Sequence, residues 1–237
     1  MKKIFIVIVL GIVFSASLTA QSSSRYTEDR NVGKFHSVRA TLGMDVIVIQ
    51  SPKNSVTVDV YDPGYIDKVE TYVERGVLHV KYAFKVNQSI NGRNVVYVYS
   101  PDIREISAGT GATVKIDGTL EGDHLKLTAG TGSDIYGKIR YTSVDITSKL
   151  GSDIKLEGKA GVCVATATGG SDIDLKNLKC NEITATAKGG SDIDVYATDR
   201  VDLRSSGGSD ITYYGDPKIR NINSSASSDI SRGRTKN

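Results

Sequence analysis

The chain has 237 residues and a formal charge of +3, with no Trp, four Phe, and acids and bases interspersed. That balance leaves no basic stripe for nucleic acid. Val, Ile, Thr, Ser and Gly dominate, which suits strands and turns and argues against long helices.

Residues 1–20 open with Lys2 and Lys3, continue through an apolar run from Ile4 to Phe14, and end in small residues up to Ala20. This predicts a secretory signal peptide cleaved after Ala20. The run is short for a membrane span, so an uncleaved anchor is the lesser alternative. No Cys near the junction offers a lipid attachment point, and no later segment is apolar enough to span. The expectation is an exported protein of the periplasm or cell surface, with no membrane insertion once the signal is gone.

Residues 21–105 read as an N-terminal β region. "SVRAT", "MDVIVIQ", "SVTVDVY", "VLHVKY" and "NVVYVYS" have strand-length apolar alternation, separated by the turn signals "SPKNS", "DPG" and "ERG". Residues 65–74 fit a short helix or a strand, and strand is the preferred reading. This half is not visibly repetitive.

Residues 106–232 are repetitive. Asp134, Asp153, Asp172, Asp192, Asp210 and Asp229 follow one another at steps of 19, 19, 20, 18 and 19 residues, and Gly111-Ala112-Thr113-Val114 is a worn earlier copy. A fixed period of this kind predicts a solenoid. An Ile follows each Asp. Nine residues before each Asp stand Leu125, Val144, Cys163, Ile183, Val201 and Arg220; seven before stand Leu127, Ile146, Ala165, Ala185, Leu203 and Ile222. Steps of two share one face of a strand, so these positions line an interior. Each repeat is expected to be one coil of two strands, with a Gly corner and a second, more variable corner. The all-β expectation is an N-terminal β region continuous with a parallel, right-handed β-helix-like stack of about 19-residue coils. The polar residues 233–237 form a tail.

The recurring corner is Gly132-Ser133-Asp134, Gly151-Ser152-Asp153, Gly170-Ser171-Asp172, Gly190-Ser191-Asp192 and Gly208-Ser209-Asp210, with Ser228-Asp229 lacking its Gly. The Ile after each Asp faces inward, so each Asp faces outward. The architectural reading gives Gly the unusual backbone angles, Ser a local hydrogen bond, and Asp the role of accepting turn N–H groups. The competing reading is a cation site, densest at Asp172, Asp174, Asp192 and Asp194. Ca²⁺ takes about six to eight oxygens around a point, whereas a coil supplies one carboxylate per strand spacing. The architectural reading is therefore preferred, with no metal and no cofactor. Cys163 and Cys180 are read as small apolar fillers, although an exported chain could bridge them.

Catalysis finds little support. A ladder of equivalent carboxylates gives no pair with separated pKa values. His36, His79 and His124 are scattered, with no Ser–His–Asp or metal-ligand spacing, and His124 is expected in a solvated corner.

With these residues laid out, "FHSVRATLGMDVIVIQS", "YVYSPDIREISAGTGATV" and the run of GSDI corners resemble the exported bacterial family described as "putative auto-transporter adhesin, head GIN domain". The resemblance covers nearly all of the chain after residue 20. It implies a β-helix similar to the pectin-lyase kind without its catalytic residues, and an adhesive role toward an unknown protein or glycan on a cell surface. The expected function is a non-enzymatic envelope adhesin or interaction scaffold. The alternative is a carbohydrate-active enzyme or sugar-binding module, which the scarcity of aromatics after residue 105 disfavours.

Overall fold

The computed structural model describes residues 25–83 and 93–234; the signal segment expected over residues 1–20 lies outside them. The strands are β1 (Tyr26–Arg30), β2 (Ser37–Ala40), β3 (Asp45–Gln50), β4 (Ser55–Val60), β5 (Val69–Glu74), β6 (Val77–Tyr82), β7 (Val95–Ser100), β8 (Glu105–Gly109) and β9 (Thr113–Gly130). They continue with β10 (Asp134–Lys149), β11 (Asp153–Thr168), β12 (Asp172–Lys188), β13 (Asp192–Ser206), β14 (Asp210–Tyr214), β15 (Lys218–Ser224) and β16 (Asp229–Arg232). Together they form a β-solenoid of about 7 turns, with coils about 19 residues apart.

The repeat register is visible in the pairing. Asp134 stands beside Asp153, Asp153 beside Asp172, Asp172 beside Asp192, Asp192 beside Asp210, and Asp210 beside Asp229, all in parallel ladders. Ile135, Ile154, Ile173, Ile193 and Ile211 are buried. Leu127, Ile146, Ala165, Ala185 and Leu203 are buried as well, so one apolar core runs the length of the stack. The parallel register stacks the Ile after each corner Asp on the Ile of the next coil, from Ile135 to Ile230.

The coil differs from the expected pair of strands with two corners. From β9 to β13 each coil is one strand of 15–18 residues, and only the Gly corner interrupts it. The second bend is made within the ladder by bulges, for instance between Tyr136 and Lys138 and between Lys155 and Glu157. A bulge turns a strand without surrendering its pairing to water.

The same bulging corrects the last repeat. Val201 pairs with Ile219 and Asp202 with Asn221, so Arg220 is the extra residue and not the inward one. Residues 65–74 divide between two structures. Asp62 Oδ1 accepts the Gly64 N–H at 2.8 Å and Pro63 presets the next backbone angle, giving a 3-10 helix over Pro63–Lys68; β5 starts after it.

Coil geometry extends upstream of the visible repeat. β2 lies between β6 and β8, parallel to both, and β3 lies between β7 and β9. Residues 37–50 are therefore a coil sandwiched between layers that come later in the chain. Beyond β6 and β7 the pairing turns antiparallel, with β5 on β6, β4 on β7 and β1 on β4. This end of the stack is covered. At the other end, β15 and β16 leave Ile219 and Ile222 exposed.

Candidate functional site: the corner ladder and the outer wall

Each Gly corner consists of two consecutive residues with positive φ. The pairs are Leu42–Gly43, Thr110–Gly111, Thr131–Gly132, Leu150–Gly151, Gly169–Gly170, Gly189–Gly190 and Gly207–Gly208. The second place is Gly in every one, with φ between 63° and 73°. Consecutive left-handed residues reverse a strand within two positions, and only Gly does so without steric cost.

The corner backbone hands its hydrogen bonds to the neighbouring coil. Gly170 N–H donates to Gly189 O at 3.1 Å, and Gly190 N–H to Gly207 O at 3.0 Å. Asp172 N–H reaches Ser152 O at 3.1 Å, and Asp192 N–H reaches Ser171 O at 3.3 Å. The buried backbone thus stays satisfied through the bend.

The serine does what was expected of the aspartate. Ser133, Ser152, Ser171, Ser191 and Ser209 are fully buried. Ser171 Oγ accepts the Thr168 N–H at 3.0 Å and donates to Ser148 O at 2.8 Å. Ser171 N–H donates to Ser191 Oγ at 3.2 Å, and Ser191 N–H to Ser209 Oγ at 3.1 Å. From Ser171 through Ser191 to Ser209 a hydroxyl ladder runs inside the corners. One corner carboxylate accepts a backbone N–H, but from the next coil and not from its own turn: Asp210 Oδ1 accepts the Asp229 N–H at 3.0 Å. The spacing signal was present in the sequence, since the Ser repeats as faithfully as the Asp. Its burial follows from the corner geometry and not from the alternation.

The outward carboxylates carry electrostatic strain. Burial first, and then the neighbouring Asp153, raises the pKa of Asp134. Burial and then Asp174 raise that of Asp194, against smaller opposing effects of Lys176 and a Thr212 hydrogen bond. Lys176 Nζ lies 2.9 Å from Asp174 and Lys155 Nζ 3.5 Å, so lysines supply part of the compensation. Among the described residues, no cluster of three or more His, Cys, Asp or Glu is placed to hold a metal.

Cys163 and Cys180 are bridged, with their Cα atoms 6.2 Å apart, which corrects the reading as separate fillers. The signal was in the separation of 17 residues. A chain that advances slightly less than one period returns almost to its starting point, one level along the stack.

His124 is also placed differently. It lies in β9, opposite Ser143 in the ladder and not in a corner. Its Nδ1 is 3.0 Å from Ser143 Oγ, and its Nε2 is 3.6 Å from Asp145 Oδ2. A Ser–His–Asp contact therefore exists where sequence spacing indicated none. Its side chains are half exposed, and the backbone beside Ser143 is engaged by strands on both sides. Acyl transfer needs free N–H donors aimed at a developing oxyanion, and such a wall offers none there.

The family model described as "Putative auto-transporter adhesin, head GIN domain" matches residues 34–217. The chain belongs to this family. Solved structures share its fold. A "putative adhesin" from Bacteroides fragilis is 23% identical, with a TM-score of 0.78 over 89% of this chain and 98% of that one. A "putative adhesin" from Parabacteroides merdae is 15% identical, with a TM-score of 0.68 over 90% and 98%. A "putative lipid binding protein" from Parabacteroides distasonis is 17% identical, with a TM-score of 0.69 over the same shares. No functionally curated protein matches the chain in sequence. As a member of the head GIN family, the chain carries its GSDI corners on the solenoid wall that the family match covers.

Proposed function

We propose that this head GIN protein is a non-enzymatic, exported component of the cell envelope that acts as an adhesin-like scaffold, presenting its solenoid wall to a protein or glycan on a cell surface. The observation that carries the reading is the in-register wall itself. Thr128, Thr147, Thr166 and Thr186 stand in one rank, at strand spacing, on successive coils. A long wall of repeated side chains favours extended contact over chemistry at one point. Family membership supports adhesion. The buried Cys163–Cys180 bridge supports export, because such bonds persist in oxidising compartments.

The carbohydrate-active alternative divides in two. For an enzyme, the wall provides many similar carboxylates and an exposed Ser143–His124 contact without an oxyanion site. For a sugar-binding module, nothing in the wall objects, and such a module is itself a form of adhesion. The test uses labelled protein lacking residues 1–20, titrated onto whole cells and onto a polysaccharide panel. Saturable, salt-sensitive surface binding without release of sugar is expected. Turnover of any polysaccharide, or no saturable binding to any surface, would overturn the reading.

A further inference from the structure

One dent in the wall brings a tyrosine and three lysines together. Between Tyr136 and Lys138 the pairing of β10 with β9 slips: Gly137, with φ 149°, stands alone opposite Ile116, Asp117 and Gly118 of β9. A Cβ on Gly137 would stand 2.4 Å from Ile116 Cβ, so the backbone is drawn inward to a depth only Gly permits. The result is a groove of about 270 Å³ lined by Lys115, Tyr136, Lys138, Lys155 and Glu157, among others. Tyr136 is 37% exposed and stands in the ladder between Lys115 and Lys155.

The lining carries three ammonium groups against one carboxylate. Lys115 pairs at 3.9 Å with exposed Asp117, a contact that holds little energy, and Lys155 lies 3.5 Å from Asp174, which Lys176 holds more closely at 2.9 Å. Lys138 has no ion pair among the described residues. Behind the groove, Asp134 and Asp153 point outward from the same strands, two residues before Tyr136 and Lys155. The site thus sets an aromatic surface and cationic donors beside carboxylate acceptors.

We infer that this groove binds an acidic saccharide: a chain whose apolar ring face packs on Tyr136, whose carboxylates meet the lysines, and whose hydroxyls donate to Asp134 and Asp153. A polyanion of high charge density is opposed by the aspartate rank, and a neutral sugar leaves Lys138 without an ion pair. Size agrees with one segment of a polymer laid across the wall, since sites for whole drug-sized ligands run about 300–1,000 Å³. The assignment rests on the adhesive reading and names its ligand class.

The experiment is calorimetric titration with polygalacturonate, its fully methyl-esterified form, and poly-glutamate. Polygalacturonate should bind, the ester should bind at least tenfold more weakly, and poly-glutamate should not compete. Tyr136→Ala and Lys138→Ala should each weaken binding at least tenfold with unchanged thermal melts, while Tyr136→Phe retains it. Equal affinity for the ester, equal competition by poly-glutamate, or variants that bind like the parent would overturn the assignment. The same variants, applied to whole cells, separate the two readings. If the Tyr136→Ala/Lys138→Ala protein coats cells like the parent, the groove is wrong and adhesion stands. If the parent binds polygalacturonate yet coats no cell, the groove stands and adhesion is wrong.

Discussion

At Asp172 and Ile173 adjacent side chains face opposite environments. Ile173 is buried in the core and Asp172 is exposed. Ile173→Asp should unfold the coil, because an unpaired charge in an apolar wall costs several kcal/mol at least. Asp172→Asn should change the urea midpoint little. Ser171→Ala falls between them: Thr168 N–H and Ser148 O lose their partner, at about 1–3 kcal/mol. Urea melts of the three variants should rank in that order; equal costs would refute the register. Acid gives a second test. Asp134 and Asp194 hold protons more tightly in the fold than an ordinary carboxyl, near pH 4, does. The native state therefore binds more protons than the unfolded chain in the window above that value, and stability from these groups rises as pH falls through their raised pKa values. Asp194→Asn should flatten part of that slope in urea midpoints taken between neutrality and mild acid. Alternation in the sequence was enough to place the Ile and Asp positions. It was silent on the serine, because a corner residue has no alternating neighbour to declare its side.

The long coil strand owes its continuity to bulges, and those were hidden. A bulge adds one residue without changing the apolar pattern on either side, so a fixed count back from Asp229 selected Arg220 where Ile219 sits. The corners were legible because the second residue of each left-handed pair is Gly. Around Gly190 no atom lies within 4 Å of where a Cβ would go, so backbone strain alone opposes substitution. Gly190→Val should then cost about 1–2 kcal/mol. At the first place in the corner, Leu42, Thr110, Thr131 and Leu150 show that side chains are accepted, so Gly189→Asn should cost clearly less. Thermal melts showing the reverse would sink the distinction. The disulfide acts at this scale too, closing residues 163–180 around the Gly169–Gly170 corner. Loop-closure arguments give about 3 kcal/mol for a loop near this length. Cys163→Ala/Cys180→Ala should lower stability by about 2–4 kcal/mol, and thiol labelling of the reduced parent should require unfolding, since both sulfurs are buried.

Seen whole, the stack is finished differently at its two ends. Antiparallel strands cover one; the other ends in a coil of Arg220, Asn221, Asn223 and Ser224. Charged and polar edges resist strand addition. Deleting residues 216–237 would bare Val201, Leu203 and Ile211 beneath, and light scattering should then report aggregation that the full chain does not show. The coils upstream of residue 106 escaped notice in the sequence because Met44 stands where later corners have serine, and because a period read along the chain assumes that neighbours in sequence are neighbours in space. Residues 37–50 break that assumption, with Asp45 beside both Val95 and Thr113. This order has a consequence in time. A chain made from its N-terminus presents β2 and β3 long before either flanking layer exists; one edge of each can close once β6 and β7 have emerged, and the other stays open until residue 117 is out. Closing those distant pairs is slow, whereas each later coil needs only the one just laid down. Protease resistance of nascent chains of increasing length should therefore stay low up to that point and then climb coil by coil, the stack growing like a crystal that waits for its seed.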